Sequence, residues 1–260
     1  LLFQPGDVFE VRAPDCRERR DARYAFTSSG YFTSETIDKA VAAIVELDNS
    51  AMAPGIYVTL NPVAPALLAR AANRIKSHAR ETTQDKDVVC RRWLLIDIDS
   101  VRPSGVSATE TELALALERG RAVAEYLESI GWPRPILALS GNGYHLLYSV
   151  ELSANDAGLV KAALTALAER FSNAAADIDR SVHNPARIVK VIGTHSRKVD
   201  DLRGVSGLED RPHRRSMFLE VPEPVIVVPE TLLRAVANGD GRVNGAKRTR
   251  LATPVVNAGG

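Results

Sequence analysis

The stretch WLLIDIDS, residues 93–100, decides how the chain is read. An apolar run is broken twice, at Asp97 and Asp99. In an extended strand, residues two apart point to the same face. The two acids therefore project together, about 7 Å apart along the backbone, while Ile96, Ile98 and the leucines keep their surroundings apolar. Two carboxylates that close repel, and they do not both ionise cheaply in such a setting. A divalent cation removes the conflict, and Mg²⁺ takes a few carboxylates together with phosphate oxygens and water. The ordinary alternative is a strand that ends here and lets both acids reach solvent. D-x-D also occurs in glycosyltransferases and phosphatases.

The bulk composition narrows the setting. A chain of 260 residues that is 45% hydrophobic has room for one large α/β domain, or for one domain with an appended lobe. The net charge is +1, so any nucleic-acid footprint must be local. No apolar run is long enough to span a membrane, and no signal peptide is visible. Cys16 and Cys90 sit in no metal-type spacing, which argues against a zinc site and a disulfide framework and fits a reducing, cytoplasmic setting. Leu1 in place of Met fits a fragment or a processed chain.

Strands and helices alternate along the chain. DVFEVR (7–12) reads as a strand, and 35–47 has helical spacing with Ile37, Val41, Ile44 and Val45 on one stripe. GIYVTLNP (55–62) reads as a strand ended by Pro62, and 66–79 as a helix. A long helix over 108–130 carries a capping box, Ser107-x-x-Glu110, and closes at Gly131 and Pro133. A second capped helix, from Ser153-x-x-Asp156, runs to 171. Strand-like pieces follow near 187–192, 215–221 and 225–228, then a short helix near 230–237. The alternation predicts an α/β (α+β) fold, a mixed sheet with helices packed on it. Residues 238–260 have the composition of a linker, with four basic and no acidic residues after Asp240, and predict that the natural protein continues.

Between the two capped helices, PILALSGNGYHLLYSV (135–150) predicts a hairpin, with Asn142-Gly143 as the turn between two apolar runs. That turn pairs Gly141 with Tyr144 and sets Ser140 opposite His145, on one face. His145 could then donate to a phosphate oxygen, with Ser140 and the glycines letting a substrate approach. The alternative is a half-buried histidine satisfied by the serine.

The third element is DIDRSVHNPARIVKVIGTHSRK (177–198), with Arg187, Lys190, Arg197 and Lys198 around an apolar strand. Residues 180–215 hold nine Lys/Arg against four Asp/Glu, a local excess that suits phosphates. A solvated loop face is the ordinary reading of Arg211, Arg214 and Arg215. Arg187 within an apolar strand is harder to explain that way. Asp177 and Asp179, again two apart, could add a metal carboxylate.

These three elements in this order resemble the archaeo-eukaryotic primase (AEP) superfamily, and within it the primase-polymerases of phages, plasmids and related mobile elements. IDID matches the D-x-D/E motif at Asp97 and Asp99. SGNGYH matches the hairpin motif, with His145 as its histidine. IDRSVHNPARIVKVIGT is similar to the third motif and its following strand, with Asp179 as the matching acid and Asp177 as a weaker candidate. YVTLNP is also similar to the family, whereas RKV (197–199) departs from its usual RKG. The resemblance implies a catalytic domain over 1–237 with an RRM-like sheet in its core (91–237) and an N-terminal α/β unit (1–90). It implies DNA primase or polymerase activity on a single-stranded DNA template, with nucleoside triphosphates as substrates. Two Mg²⁺ or Mn²⁺ ions would sit on Asp97, Asp99 and Asp179. Ser140, His145, Arg187, Lys190 and Lys198 would hold the incoming nucleotide. The template groove would come from 180–215 and parts of 1–90, and a fused or associated helicase is an expected partner. Two rival functions remain at this level: a non-catalytic DNA-binding replication-initiator module, and a metal-dependent nuclease or phosphohydrolase.

Overall fold

A computed structural model of the chain describes residues 2–19 and 22–239. The expected linker over 238–260 lies outside these, apart from its first two residues. In chain order, the first half contains β1 (Val8–Cys16), β2 (Phe26–Thr33), α1 (Ile37–Asn49), β3 (Tyr57–Thr59), β4 (Cys90–Ser100) and α2 (Glu110–Ser129). The second half contains β5 (Ile136–Leu139), β6 (Gly143–Ser153), α3 (Leu159–Phe171), β7 (Ala176–Ile178), β8 (Ile188–Lys190), β9 (His195–Ser196), β10 (Arg214–Arg215), β11 (Met217–Glu220) and α4 (Glu230–Ala237).

Helices and strands mix as expected, and the named strands pair antiparallel throughout. The larger sheet has the order β11-β5-β6-β4-β7. Within it, β4-α2-β5-β6-α3-β7 is a split β-α-β arrangement, because β6 inserts between β4 and β5. A smaller sheet has the order β2-β1-β3-β8. Its last strand comes from the far end of the chain, so the N-terminal stretch does not complete its own sheet. One apolar core runs through both sheets, from Phe9 and Val58 to Ile98 and Leu164.

β4 carries the division of faces that the sequence implies. Ile96 and Ile98 are fully buried, each worth about 2–3 kcal/mol of apolar transfer. α2 closes on that face through Gly120, where a Cβ would lie 3.0 Å from Ile98 Cδ1. Asp97 and Asp99 face the other way. Asn61, buried at the end of the β3 stretch, stitches the two sheets. Its Oδ1 accepts from the backbone N–H groups of Arg92 (2.8 Å) and Trp93 (3.1 Å).

Several local expectations shift. Residues 66–79 form a short 3₁₀ turn (Pro65–Arg70) and then an extended segment along β2, not a helix. The competing interaction is backbone pairing: Tyr31 donates to Ala71 O, and Ser29 and Lys76 exchange N–H···O bonds. The buried face of α1 is Ala40, Ala43, Ile44 and Leu47, while Ile37, Val41 and Val45 from the expected stripe face solvent. The capping box of α2 is Thr109 with Glu112, each bonding the other's backbone N–H. Thr109 takes the position because Glu112 is also locked in place by Arg211 (2.8 Å). Asp156, not Ser153, caps α3 through the N–H of Val160 (3.2 Å), since Ser153 is still the end of β6.

The hairpin turn is Gly141-Asn142, one residue earlier than expected. Ser140 N–H donates to Gly143 O (2.9 Å), and Leu139 pairs with Tyr144. Two contacts from outside the hairpin decide this. Asn142 Oδ1 accepts from Ala108 N–H (2.9 Å) and its carbonyl from Ser100 Oγ (2.8 Å), which holds Asn142 at the tip. Gly143 is pressed against β4, where a Cβ would stand 2.3 Å from Ile98 O. Gly143→Ala should therefore push β6 off β4 and cost about 3 kcal/mol, as overpacking does, read as a fall in melting temperature. An unchanged melt would contradict this packing.

Candidate metal and nucleotide site

The site is built on β4 and the strands either side of it. Cross-strand partners share a face, and β6 sets His145 opposite Asp97 while β7 sets Asp177 opposite Asp99. One step past β7, Asp179 N–H donates to Asp97 O (2.9 Å), which carries the ladder on and brings Asp179 beside Asp97. The Asp179 side chain also caps the following turn, accepting from Ser181 N–H (2.7 Å) and Ser181 Oγ (3.0 Å). Asp97, Asp99 and Asp179 each offer an oxygen within 4.8 Å of the others. Asp177 is exposed and stands outside this group.

Charge is crowded here. Burial, then the neighbouring Asp179, push the Asp97 carboxyl from the usual 3.8 up to about 7, against the fields of Lys198 and Arg187. Burial and Asp97 push Asp99 up to about 6, although its side chain opens to solvent. His145 is 5% exposed, and burial takes its imidazole down to about 4, so it is neutral at physiological pH. Its Nε2 lies 3.5 Å from Asp97 Oδ1, and its Nδ1 is sealed in without a partner. The donor set is three hard carboxylates, which suits Mg²⁺ or Mn²⁺ and not zinc. Ionised acids that burial and repulsion disfavour gain most from a cation.

The remaining expected residues are placed unequally. Ala138, not Ser140, is opposite His145, and the Ser140 hydroxyl donates to Gly143 O (3.0 Å), a consequence of the shifted turn. Arg187 sits just before β8. Its Nη2 donates to Ser181 O (2.6 Å), its Nε is buried without a partner, and no carboxylate among the described residues lies within 4.0 Å of its guanidinium. Lys198 is exposed, with its ammonium 4.8 Å from the Tyr57 ring centroid. Burial would lower its pKa, but Tyr57, Asp97 and Asp99 outweigh that and raise it. Lys190 reaches the floor of the site and not its surface. It is 4% exposed, donates to His195 O (2.5 Å), and burial lowers its amine to about 7.

The basic excess of 180–215 is largely neutralised in place. Arg197 pairs with Asp48 (2.9 Å), Arg203 with Asp201 (2.9 Å), Arg211 with Glu112 (2.8 Å) and Arg214 with Glu110 (2.7 Å). Arg211 and Arg214 thus brace the start of α2 and do not form a solvated face, whereas Arg215 is exposed as expected, with Asp48 3.9 Å away. Asp48 is a participant that the sequence does not flag. It is buried at the end of α1 and accepts from His195 N–H (3.0 Å), His195 Nδ1 (2.9 Å) and Arg197 (2.9 Å), which fixes the strand leading to Lys198. On the other side of that strand a Cβ on Gly141 would fall 2.4 Å from Ser196 Cβ. The hairpin tip therefore rests directly on β9. Arg102 ties the end of β4 to the tip through Ser100 O (3.1 Å) and Asn142 O (3.4 Å).

Among solved structures, the chain is similar to the AEP domain of the cyanophage S-2L primase-polymerase. The two share 15% identity over 88% of this chain and 89% of that one, with a TM-score of 0.47. No family model matches the chain, and no curated protein does. Among the described residues, no helix is long and apolar enough to cross a membrane.

The raised Asp97 pKa has a signed consequence. The folded protein holds that proton to higher pH than the unfolded chain does, so its contribution to stability is complete below about pH 4 and lost as pH rises to about 7. Asp97→Asn should melt several degrees above the metal-free wild type at neutral pH, and the gain should fade toward pH 4. Mn²⁺ should raise the wild-type melting temperature and leave that of the variant nearly unmoved. Equal Mn²⁺ responses would remove Asp97 from the cation site.

Proposed function

We propose that this chain is the catalytic domain of a primase-polymerase, a nucleotidyltransferase that extends or initiates strands on single-stranded DNA from nucleoside triphosphates. One observation carries the reading: three carboxylates converge from β4 and the turn after β7 beside a neutral buried histidine, with Arg187 and Lys198 close by and, among the described residues, in no ion pair. That combination fits a ligand bearing both cations and phosphates.

Asp97, Asp99 and Asp179 would hold two Mg²⁺ or Mn²⁺ ions, which when bound supply activation of the attacking hydroxyl and neutralisation of the triphosphate. The protein's own groups do the rest. Asp179 is held in position by the turn that it caps. His145 presents Nε2 at the edge of the acids, and as a neutral ring it adds no charge that would compete with a cation. Arg187 and Lys198 flank the acids and suit the non-bridging phosphate oxygens, the arginine by its fork and the lysine as a point charge. Lys190 acts from beneath, where its field helps keep His145 neutral. A cytoplasmic setting, the replication of a mobile element and a helicase fused or associated downstream complete the reading.

The test is incubation with single-stranded template, labelled nucleotides and Mg²⁺ or Mn²⁺. Strand growth with pyrophosphate release is expected, and shortening of the nucleic acid would instead establish a nuclease. Asp97→Asn or Asp99→Asn should lower synthesis by at least ~100-fold, in the range for lost electrostatic stabilisation of a developing charge. His145→Ala should raise the nucleotide KM or lower kcat while template affinity holds. Near wild-type synthesis in either aspartate variant defeats the proposal.

Arg187→Lys separates a phosphate ligand from a structural cation. Nucleotide binding should weaken by about 1–3 kcal/mol, the range for hydrogen bonds to charged groups, with little change in melting temperature. A clear drop in melting temperature with normal nucleotide affinity would assign Arg187 to the fold.

A further inference from the structure

The outer edge of the smaller sheet carries a second concentration of positive charge, remote from the acids. β2 is the edge strand there, and residues 70–80, RAANRIKSHAR, run along it without an acidic residue. Backbone bonds hold the segment in place: Ser29 and Lys76 pair at 3.0 and 2.9 Å, and Ala79 N–H donates to Thr27 O (2.8 Å). Gly30 admits it, since a Cβ there would lie 2.1 Å from Arg74 O. Between segment and strand lies a cleft of about 260 Å³, lined by Ser29, Tyr31, Arg70, Lys76, Arg80 and Glu81 among others.

The charges in this cleft are not balanced. Arg70 is satisfied by Tyr31 Oη (3.3 Å), Thr82 O (3.3 Å) and Glu81 (3.1 Å), which also commits the only acid of the lining. Lys76 and Arg80 are exposed, and among the described residues neither has a carboxylate within 4.0 Å or a side-chain hydrogen bond. Lys76 serves the fold through its backbone, and neither charged side chain takes part in it. Between these two cations in the chain, His78 carries an aromatic contact toward β2. Phe26 stacks on His78 at 4.0 Å, and two residues earlier Tyr24 is 77% exposed, with Arg23 5.6 Å over its ring.

We propose that this cleft binds the phosphate backbone of single-stranded nucleic acid, with Tyr24 stacking a base. A nucleotide has two parts, an anion and a π-face, and unpaired cations together with an exposed aromatic match both; an acidic peptide matches only the first. β1 and β3 separate β2 from β8, about 14 Å in all at about 4.8 Å per strand. A strand threaded from this edge to Arg187 is thereby held at a point outside the reacting centre. The inference rests on the template-dependent reading above and names where the template is gripped.

The experiment uses the full chain, a labelled oligothymidylate followed by anisotropy over a salt series, and inorganic polyphosphate as a second probe. Primed-template incorporation is measured in parallel. Lys76→Ala with Arg80→Ala should weaken oligothymidylate binding about tenfold or more, and should flatten log K against log salt by about 1.4, or 0.7 for each lost phosphate contact. Its melting temperature and its kcat at saturating template should be those of wild type. Tyr24→Ala should weaken the oligonucleotide about fivefold or more and leave polyphosphate binding unchanged. Wild-type affinity and slope in the double variant overturn the proposal. So does a Tyr24→Ala variant that binds oligothymidylate normally, which would make the cleft a general anion surface. A wild type that binds the oligonucleotide but incorporates nothing defeats the polymerase reading and leaves the cleft intact.

Discussion

β4 must satisfy two opposed environments with one alternating sequence, and the rest of the molecule follows from that. Its even residues, Leu94, Ile96 and Ile98, are pressed under α2. Its odd residues Asp97 and Asp99 are left on the open face. A slip of one residue would bury two carboxylates beneath a helix and expose the isoleucines, at a cost of several kcal/mol for each misplaced group. Register is therefore pinned where the site needs it. Gly143 against Ile98 O and the Asp179 N–H on Asp97 O fix the strands on either side to the same register.

The protein carries uncompensated charge at the site and neutralises much of the basic excess of 180–215 around it. Asp97, Asp99 and Asp179 are mutually repulsive, and among the described residues Arg187 and Lys198 have no ion-pair partner to quiet them. Away from it, Arg197, Arg211 and Arg214 are each matched to a carboxylate. The unmatched groups lie where a ligand that carries both signs would complete them. Asp48 shows how the matched ones serve the site at a distance. It anchors His195 and Arg197, the residues that precede Lys198, from the end of a helix in the N-terminal stretch.

Two long-range pairings make the site a property of the whole chain. β8 joins the N-terminal sheet next to β3, which delivers Arg187 and Lys190 to the side of β4. Asn61 fastens the β3 stretch to the start of β4, and its Nδ2 reaches Pro185 O (3.4 Å). Each of these pairings must form before the acids and the cations share one surface.

The sequence alone determined the acid pair on β4, the existence of the hairpin and the order of the three elements, because period-two alternation and a glycine-rich turn are local. Spacing left Asp177 and Asp179 as equal candidates for a third acid, and only the resemblance favoured Asp179. Tertiary structure decided what local patterns leave degenerate. The turn moved to Gly141-Asn142 because Ala108 and Ser100 claim Asn142. Residues 71–79 left the helix that their alanines favour because the edge of β2 offered backbone partners. Among the described residues, the basic excess of 180–215 is reduced because acids far away in sequence, at 48, 110 and 112, pair with Arg197, Arg214 and Arg211. A charge count along a chain cannot register such partners, since ion pairing depends on distance in space and only the folded sheets set that distance.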